Sequence, residues 1–192
     1  MGVLTKFVRR FFYGEESTNS YLIEYRHSGY PKKYFLNRYF ELKKAYRITP
    51  HAHRYVPHIT IVRLIETSQE QRLINCIGEV IFRNAHFFHE PGNLVSTGKY
   101  IRFDTEVGGK VLAIEVKPPK TLENLKKEIE STLNSIQDIK CQVYKKEVWH
   151  TTIWNMKRDI YSRNDKFQQV WNTLKNHPQE MRFILDRITL MK

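Results

Sequence analysis

Short runs of alternating apolar and polar residues recur along the chain, separated by longer stretches with helical spacing. YLIEYR at 21–26 reads as a strand, and KKYFLNRYFELKKAY at 32–46 as a helix with an aromatic and aliphatic stripe. PHITIVRL at 57–64 is the next strand, TSQEQRLINCIGEV at 67–80 the next helix, and IFRNAHFF at 81–88 a third strand. GKYIRFDTEVGGKVLAIEV at 98–116 reads as a hairpin turning at Gly108-Gly109. Its second arm, VLAIEVK at 111–117, starts the order again. PPKTLENLKKEIESTLNSI supplies a helix opened by Pro119 or by a Thr121 cap, and VWHTTIWN at 148–155 a strand. Residues 162–175 predict a further helix and FILDRITLM at 183–191 a closing strand.

The order of elements therefore repeats. Tyr21 and Val111 open matching strands 90 residues apart, and His58 and His150 are 92 apart. The chain reads as two βαβαβ-like halves, and no linker rich in Pro, Gly or Ser parts them, so they are expected to share one core.

Each half carries one histidine strand. In a strand, residues i and i+2 point to the same face. His58 and Thr60 are neighbours on one side while Ile59 and Ile61 face the other. His150 and Thr152 repeat the arrangement, with Thr151 and Ile153 behind. An approximate two-fold between the halves would set both His-Thr faces about a central cleft. Two imidazoles of ordinary pKa near 6.5 can divide acid and base work at neutral pH. Threonine hydroxyls beside them can donate hydrogen bonds to non-bridging phosphate oxygens. A chance His-x-Thr-apolar match is expected about 0.2 times in such a chain, and a matched pair far less often. The pair points to phosphodiester chemistry.

Charge narrows the substrate. The 192 residues carry 32 Lys+Arg against 20 Asp+Glu, a net +12, with 13% aromatic residues. That excess favours a polyanionic partner: cations engage phosphates and rings stack on bases. The two cysteines, Cys76 and Cys141, have no paired spacing, which indicates neither a zinc knuckle nor a disulfide framework and suits a reducing cytosol. No apolar run approaches the roughly 18–20 residues of a membrane helix, so no membrane partner is expected. The basic aromatic stretch 1–17 reads as a terminal segment packed on the domain.

HITI at 58–61 and HTTI at 150–153 resemble the duplicated His-x-Thr-x signature of the 2H phosphoesterase superfamily, and within it the 2′-5′ RNA ligase and 2′,3′-cyclic phosphodiesterase branch. The resemblance implies an α+β fold, bilobal, with two pseudo-symmetric sheet-and-helix lobes around a central cleft. It implies one domain over 1–192, with lobes near 18–90 and 96–192. It implies that His58 and His150 form the acid/base pair, in an order left open, and that Thr60 and Thr152 hold the phosphate. The implied activity is hydrolysis of RNA or nucleotide 2′,3′-cyclic phosphates to 2′-phosphates, or joining of 2′-5′ RNA ends. The partner is then an RNA ending in a cyclic phosphate, or a cyclic nucleotide, met in the cytoplasm. Thr151 departs from the pattern, standing where an apolar residue is usual. Ile61 ends a motif that often closes with Leu.

Secondary candidates surround the pair. Arg54 and Tyr55, in the loop leading to His58, could meet substrate at the cleft mouth, and Trp154 continues the His150 face by period two and could stack on a base. Lys157 and Arg158 could hold the RNA backbone. His51, His53 and His58 lack the cysteine or carboxylate partners of a zinc site, so neither metal nor cofactor is expected. His86 and His89 read as a strand end. The rival functions are an RNA-end-binding protein without turnover, and the same chemistry on a small nucleotide such as ADP-ribose cyclic phosphate or a 2′-5′ oligoadenylate.

Overall fold

A computed structural model describes residues 18–47, 56–89, 94–104, 109–143, 148–156, 164–177 and 180–192. Strand β1 (Asn19–Arg26) buries Tyr21, Ile23 and Tyr25, which are 0–3% exposed. Helix α1 (Gly29–Tyr46) follows, starting three residues earlier than the sequence pattern suggests. Pro31 falls in its first turn, where a missing N–H costs nothing. Strand β2 (His58–Thr67) leads to α2 (Glu70–Arg83), whose Leu73, Cys76, Ile77 and Val80 form a buried i, i+3, i+4, i+7 stripe.

The strand expected over 81–88 does not form. Ile81–Arg83 completes α2, and Ala85–His89 is a 3₁₀ turn that includes His86 and His89. The stripe of α2 extends by one helical turn to Ile81, which packs on the core. A short apolar run has no period of its own to separate the two outcomes.

The hairpin forms as expected: β3 (Leu94–Asp104) pairs antiparallel with β4 (Lys110–Lys117), from Ser96 opposite Lys117 to Asp104 opposite Lys110. Gly108 lies outside the described residues. At Gly98 a Cβ would crowd the Glu115 carboxylate on the neighbouring strand, which would have to swing aside. Helix α3 (Lys120–Asn134) has Pro119, not Thr121, at its N-cap. Strands β5 (Lys140–Cys141) and β6 (Trp149–Met156), helix α4 (Asn164–Leu174), β7 (Arg182–Ile184) and β8 (Thr189–Met191) complete the chain.

The eight strands form one sheet in the order β7-β3-β4-β6-β2-β1-β8, with β5 on β2, and every pairing is antiparallel. With four α-helices among the described residues, the class is α+β. The βαβαβ reading gives the order of elements but not the ladder. Helices α1 and α3 return the chain so that strands on either side of them run antiparallel: β1 with β2 about α1, and β4 with β6 about α3. The helices also cross over, for α1 packs against β6 and α3 against β2. Each half of the chain thus covers strands of the other, and one cluster of buried residues runs through both.

FILDRITLM is not one strand. Its ends pair with opposite edges of the sheet, β7 on β3 and β8 on β1. The polar step Asp186-Arg187 falls between them. Five residue steps from Ile184 to Thr189 span at most about 18 Å. Six strand spacings laid flat would take roughly 29 Å. The sheet is therefore strongly curved, and Phe183 of β7 stacks on Tyr25 of β1 at 6.0 Å.

Candidate active site

Strands β2 and β6 meet at the middle of this sheet, with Ile59 opposite Thr151. Antiparallel register then sets His58 beside Thr152 and Thr60 beside His150. The flanking strands extend these two rows. Arg26 is opposite His58 and Glu24 opposite Thr60 on β1, while Ala113 is opposite Thr152 and Glu115 opposite His150 on β4. One row across the face reads Glu115, His150, Thr60, Glu24, and the next Ala113, Thr152, His58, Arg26. The two His-x-Thr triplets lie side by side, each histidine next to the other strand's threonine.

Burial separates the two sides. His58, Thr60, His150 and Thr152 are all half-buried, whereas Ile59, Ile61, Thr151 and Ile153 are at most 2% exposed. The apolar side packs the core, and the His-Thr side is reachable.

Both imidazoles are held the same way. His58 Nδ1 lies 3.0 Å from the Val56 carbonyl, and His150 Nδ1 lies 3.3 Å from the Val148 carbonyl. A carbonyl only accepts, so Nδ1–H donates, and in the neutral ring Nε2 then carries the lone pair that can take a proton. Phe103 of β3 sets its ring edge-on to His150 at 4.8 Å and is itself 37% exposed.

No family model matches the chain, and no curated protein matches its sequence. Among solved structures, that of Kluyveromyces marxianus Usb1 aligns over 91% of this chain and 97% of its own, with a TM-score of 0.47 and 9% identity. A likeness that faint carries no assignment.

Two residues beside the pair are not singled out by sequence pattern. Glu24 is 4% exposed, with Oε1 accepting from Arg26 Nε at 2.5 Å and Oε2 lying 3.6 Å from His58 Nε2. The signal was present: a carboxylate inside the otherwise core-forming YLIEY is out of place in a strand unless something partners it. Phe103 carried a weaker signal, an aromatic near the tip of a hairpin.

Behind the pair, Thr151 shares a 2.9 Å hydrogen bond with His27 Nε2. That contact spans from the end of β1 to β6 and supplies the reason for threonine at an otherwise apolar position. His27 is buried among Tyr25, Phe35 and Phe183. Burial first, and the nearby His58 second, push its pKa down to about 3, so the ring stays neutral at physiological pH.

Trp154 is not on the His-Thr face. It is fully buried, 5.2 Å from the Phe167 ring of α4. The cause is a register shift in the β4–β6 ladder: Thr152 pairs with Ala113 but Trp154 with Leu112. Two residues of β6 there oppose one step of β4, a bulge that turns Trp154 to the core side. Period two fails at that point. Arg54, Tyr55, Lys157 and Arg158, like His51, His53 and residues 1–17, lie outside the described residues. No described helix is long and apolar enough to cross a membrane.

Proposed function

We propose that this chain is a phosphoesterase of the 2H type, acting on a 2′,3′-cyclic phosphate at an RNA end to leave a 2′-phosphate. The observation that carries this reading is the row-by-row juxtaposition of His58 with Thr152 and of His150 with Thr60 on one accessible face. A phosphate over the β2–β6 junction would have an Nε2 on each side and a hydroxyl beside each imidazole. We place the division between two lobes, and the cleft, at this junction.

In hydrolysis one imidazole takes a proton from water as that water attacks phosphorus in line. The P–O3′ bond breaks, and the other imidazole protonates the departing 3′-oxygen. Thr60 and Thr152 donate to the non-bridging oxygens, where charge builds in the transition state. An RNA 5′-hydroxyl in place of water would turn the same geometry to ligation. Phe103 offers a ring for stacking beside His150, and the net charge of +12 favours RNA over an uncharged or cationic substrate.

The deciding experiment is cleavage of an RNA oligonucleotide ending in a 2′,3′-cyclic phosphate, in EDTA, by the wild type, His58→Ala and His150→Ala. A 2′-phosphate product that disappears in both variants is expected. A product unaffected by either substitution would refute the paired mechanism. Tight RNA binding without turnover in the wild type would leave an end-binding protein.

A further inference from the structure

We propose that Arg26 grips the phosphodiester one nucleotide upstream of the reacting phosphate, so that the site takes an oligonucleotide end in preference to a mononucleotide. This rests on the phosphoesterase reading above and adds a substrate class to it.

The placement comes from the register. Arg26 stands in the row of His58 and Thr152, one strand further out on β1. Strand spacing puts its backbone about 5 Å beyond His58 and about 10 Å from Thr152. The reacting phosphate belongs between the histidines, over β2 and β6, and two threonines already serve it there. A cation on the outer, β1 side is better placed for the next phosphate along an extended strand.

Its side chain is prepared for that role. Nε donates to Glu24 Oε1, and no other described group takes a hydrogen bond from the guanidinium. Nη1 and Nη2 are left as the fork that matches two phosphate oxygens. The side chain is 37% exposed, so the fork can be reached, while the buried Glu24 carboxylate anchors it. Glu24 itself is expensive to bury in the middle of a strand, and an ion pair that reaches solvent returns little stability. A carboxylate kept there at that cost is explained by what it orients: the guanidinium on one side, and on the other His58 Nε2 at 3.6 Å.

The test compares two substrates, a dinucleotide ending in a 2′,3′-cyclic phosphate and a nucleoside 2′,3′-cyclic phosphate, with the wild type, Arg26→Ala and Arg26→Lys. Arg26→Ala should raise KM for the dinucleotide about tenfold or more, the effect of losing a charge-assisted bond. It should leave kcat nearly unchanged and barely alter either constant for the nucleoside. Arg26→Lys should recover part of the KM, because the charge remains while the fork is lost. Equal losses on both substrates would place Arg26 at the reacting phosphate and overturn the proposal. So would no change on either, which would leave Arg26 as a structural partner of Glu24. Binding of a labelled dinucleotide 3′-phosphate and a labelled nucleoside 3′-phosphate, read by fluorescence anisotropy, separates this proposal from the enzymatic reading. If the wild type turns over neither cyclic phosphate, the phosphoesterase reading fails. Arg26 still stands if its removal weakens only the dinucleotide, and falls if it does not.

Discussion

His58 and His150 each spend Nδ1 on the carbonyl two residues back, which fixes ring orientation and tautomer before any substrate arrives. Positioned acid–base groups typically contribute about 10²–10⁴-fold to a rate. Replacing either histidine by alanine should cost turnover on that scale in a steady-state assay, with little change in thermal stability, because both rings are half-exposed. Thr60→Val and Thr152→Val each remove one donor and should lower kcat by about 10²-fold or more. His27 gives a different readout. Its folded pKa of about 3 lies below the roughly 6.5 of an unfolded histidine, so the unfolded chain binds its proton first. The stabilising contribution is complete above pH 6.5 and is lost as pH falls toward 3, at up to about 1.4 kcal/mol per pH unit. Urea unfolding at stepped pH should show that slope in the wild type and a flatter one in His27→Phe. An unchanged slope would mean that the buried ring is not what titrates.

At the scale of elements, one bulge keeps Trp154 off the His-Thr face. Up to Thr152 strand β6 alternates as its sequence does, and then the shift opposite Ala113 and Leu112 sends Trp154 inward. Trp154→Ala should therefore cost about 3–5 kcal/mol of stability, as core aromatic truncations do, while Trp154→Phe keeps KM close to wild type. A large rise in KM from Trp154→Phe at unchanged stability would return that ring to the site. Helix α3 shows how position within an element changes a charge's role. Glu123 and Lys127 have the i, i+4 spacing of a surface pair, but the ion pair that α3 closes is Lys126 with Glu130, one helical turn apart and almost wholly buried. Lys126→Ala would strand a buried carboxylate and should destabilise by several kcal/mol, whereas Lys127→Ala should be nearly silent. Chemical denaturation of the two variants checks both.

For the molecule as a whole, the curved antiparallel sheet brings the middle strands of the two chain halves together, and helices α1 and α3 cross to cover each other's strands. Neither half can form its core alone. Separately expressed halves, cut between His89 and Leu94 ahead of β3, should be unstructured apart and recover structure only when mixed, as circular dichroism would show. The charge of +12 is also a property of the whole surface. Affinity for single-stranded RNA should fall along a straight line in log K against log salt, with a slope of about −0.7 for each phosphate engaged. A flat line would remove RNA as the substrate class and favour a small nucleotide.

Local pattern carried most of the elements and the matched His-Thr strands. Period two in HITI and HTTI, the matched order around them, and the stripe of α2 are short-range properties, readable because side-chain direction follows from the backbone repeat alone. That the two faces become neighbours row by row required the β2–β6 pairing, a contact between residues more than ninety positions apart. The bulge at Trp154, the splitting of FILDRITLM between two sheet edges, and the helix in place of a strand at 81–83 were settled by which neighbour each segment packs against. Glu24 and Arg26 belong to the same class. In sequence they are two charges in a strand, and only the ladder with β2 sets one against His58 and aims the other across the same face. Sequence determined the chemistry available and the local direction of each side chain. Tertiary structure decided which of those side chains share a surface, because register across a sheet is fixed by the packing of the whole core.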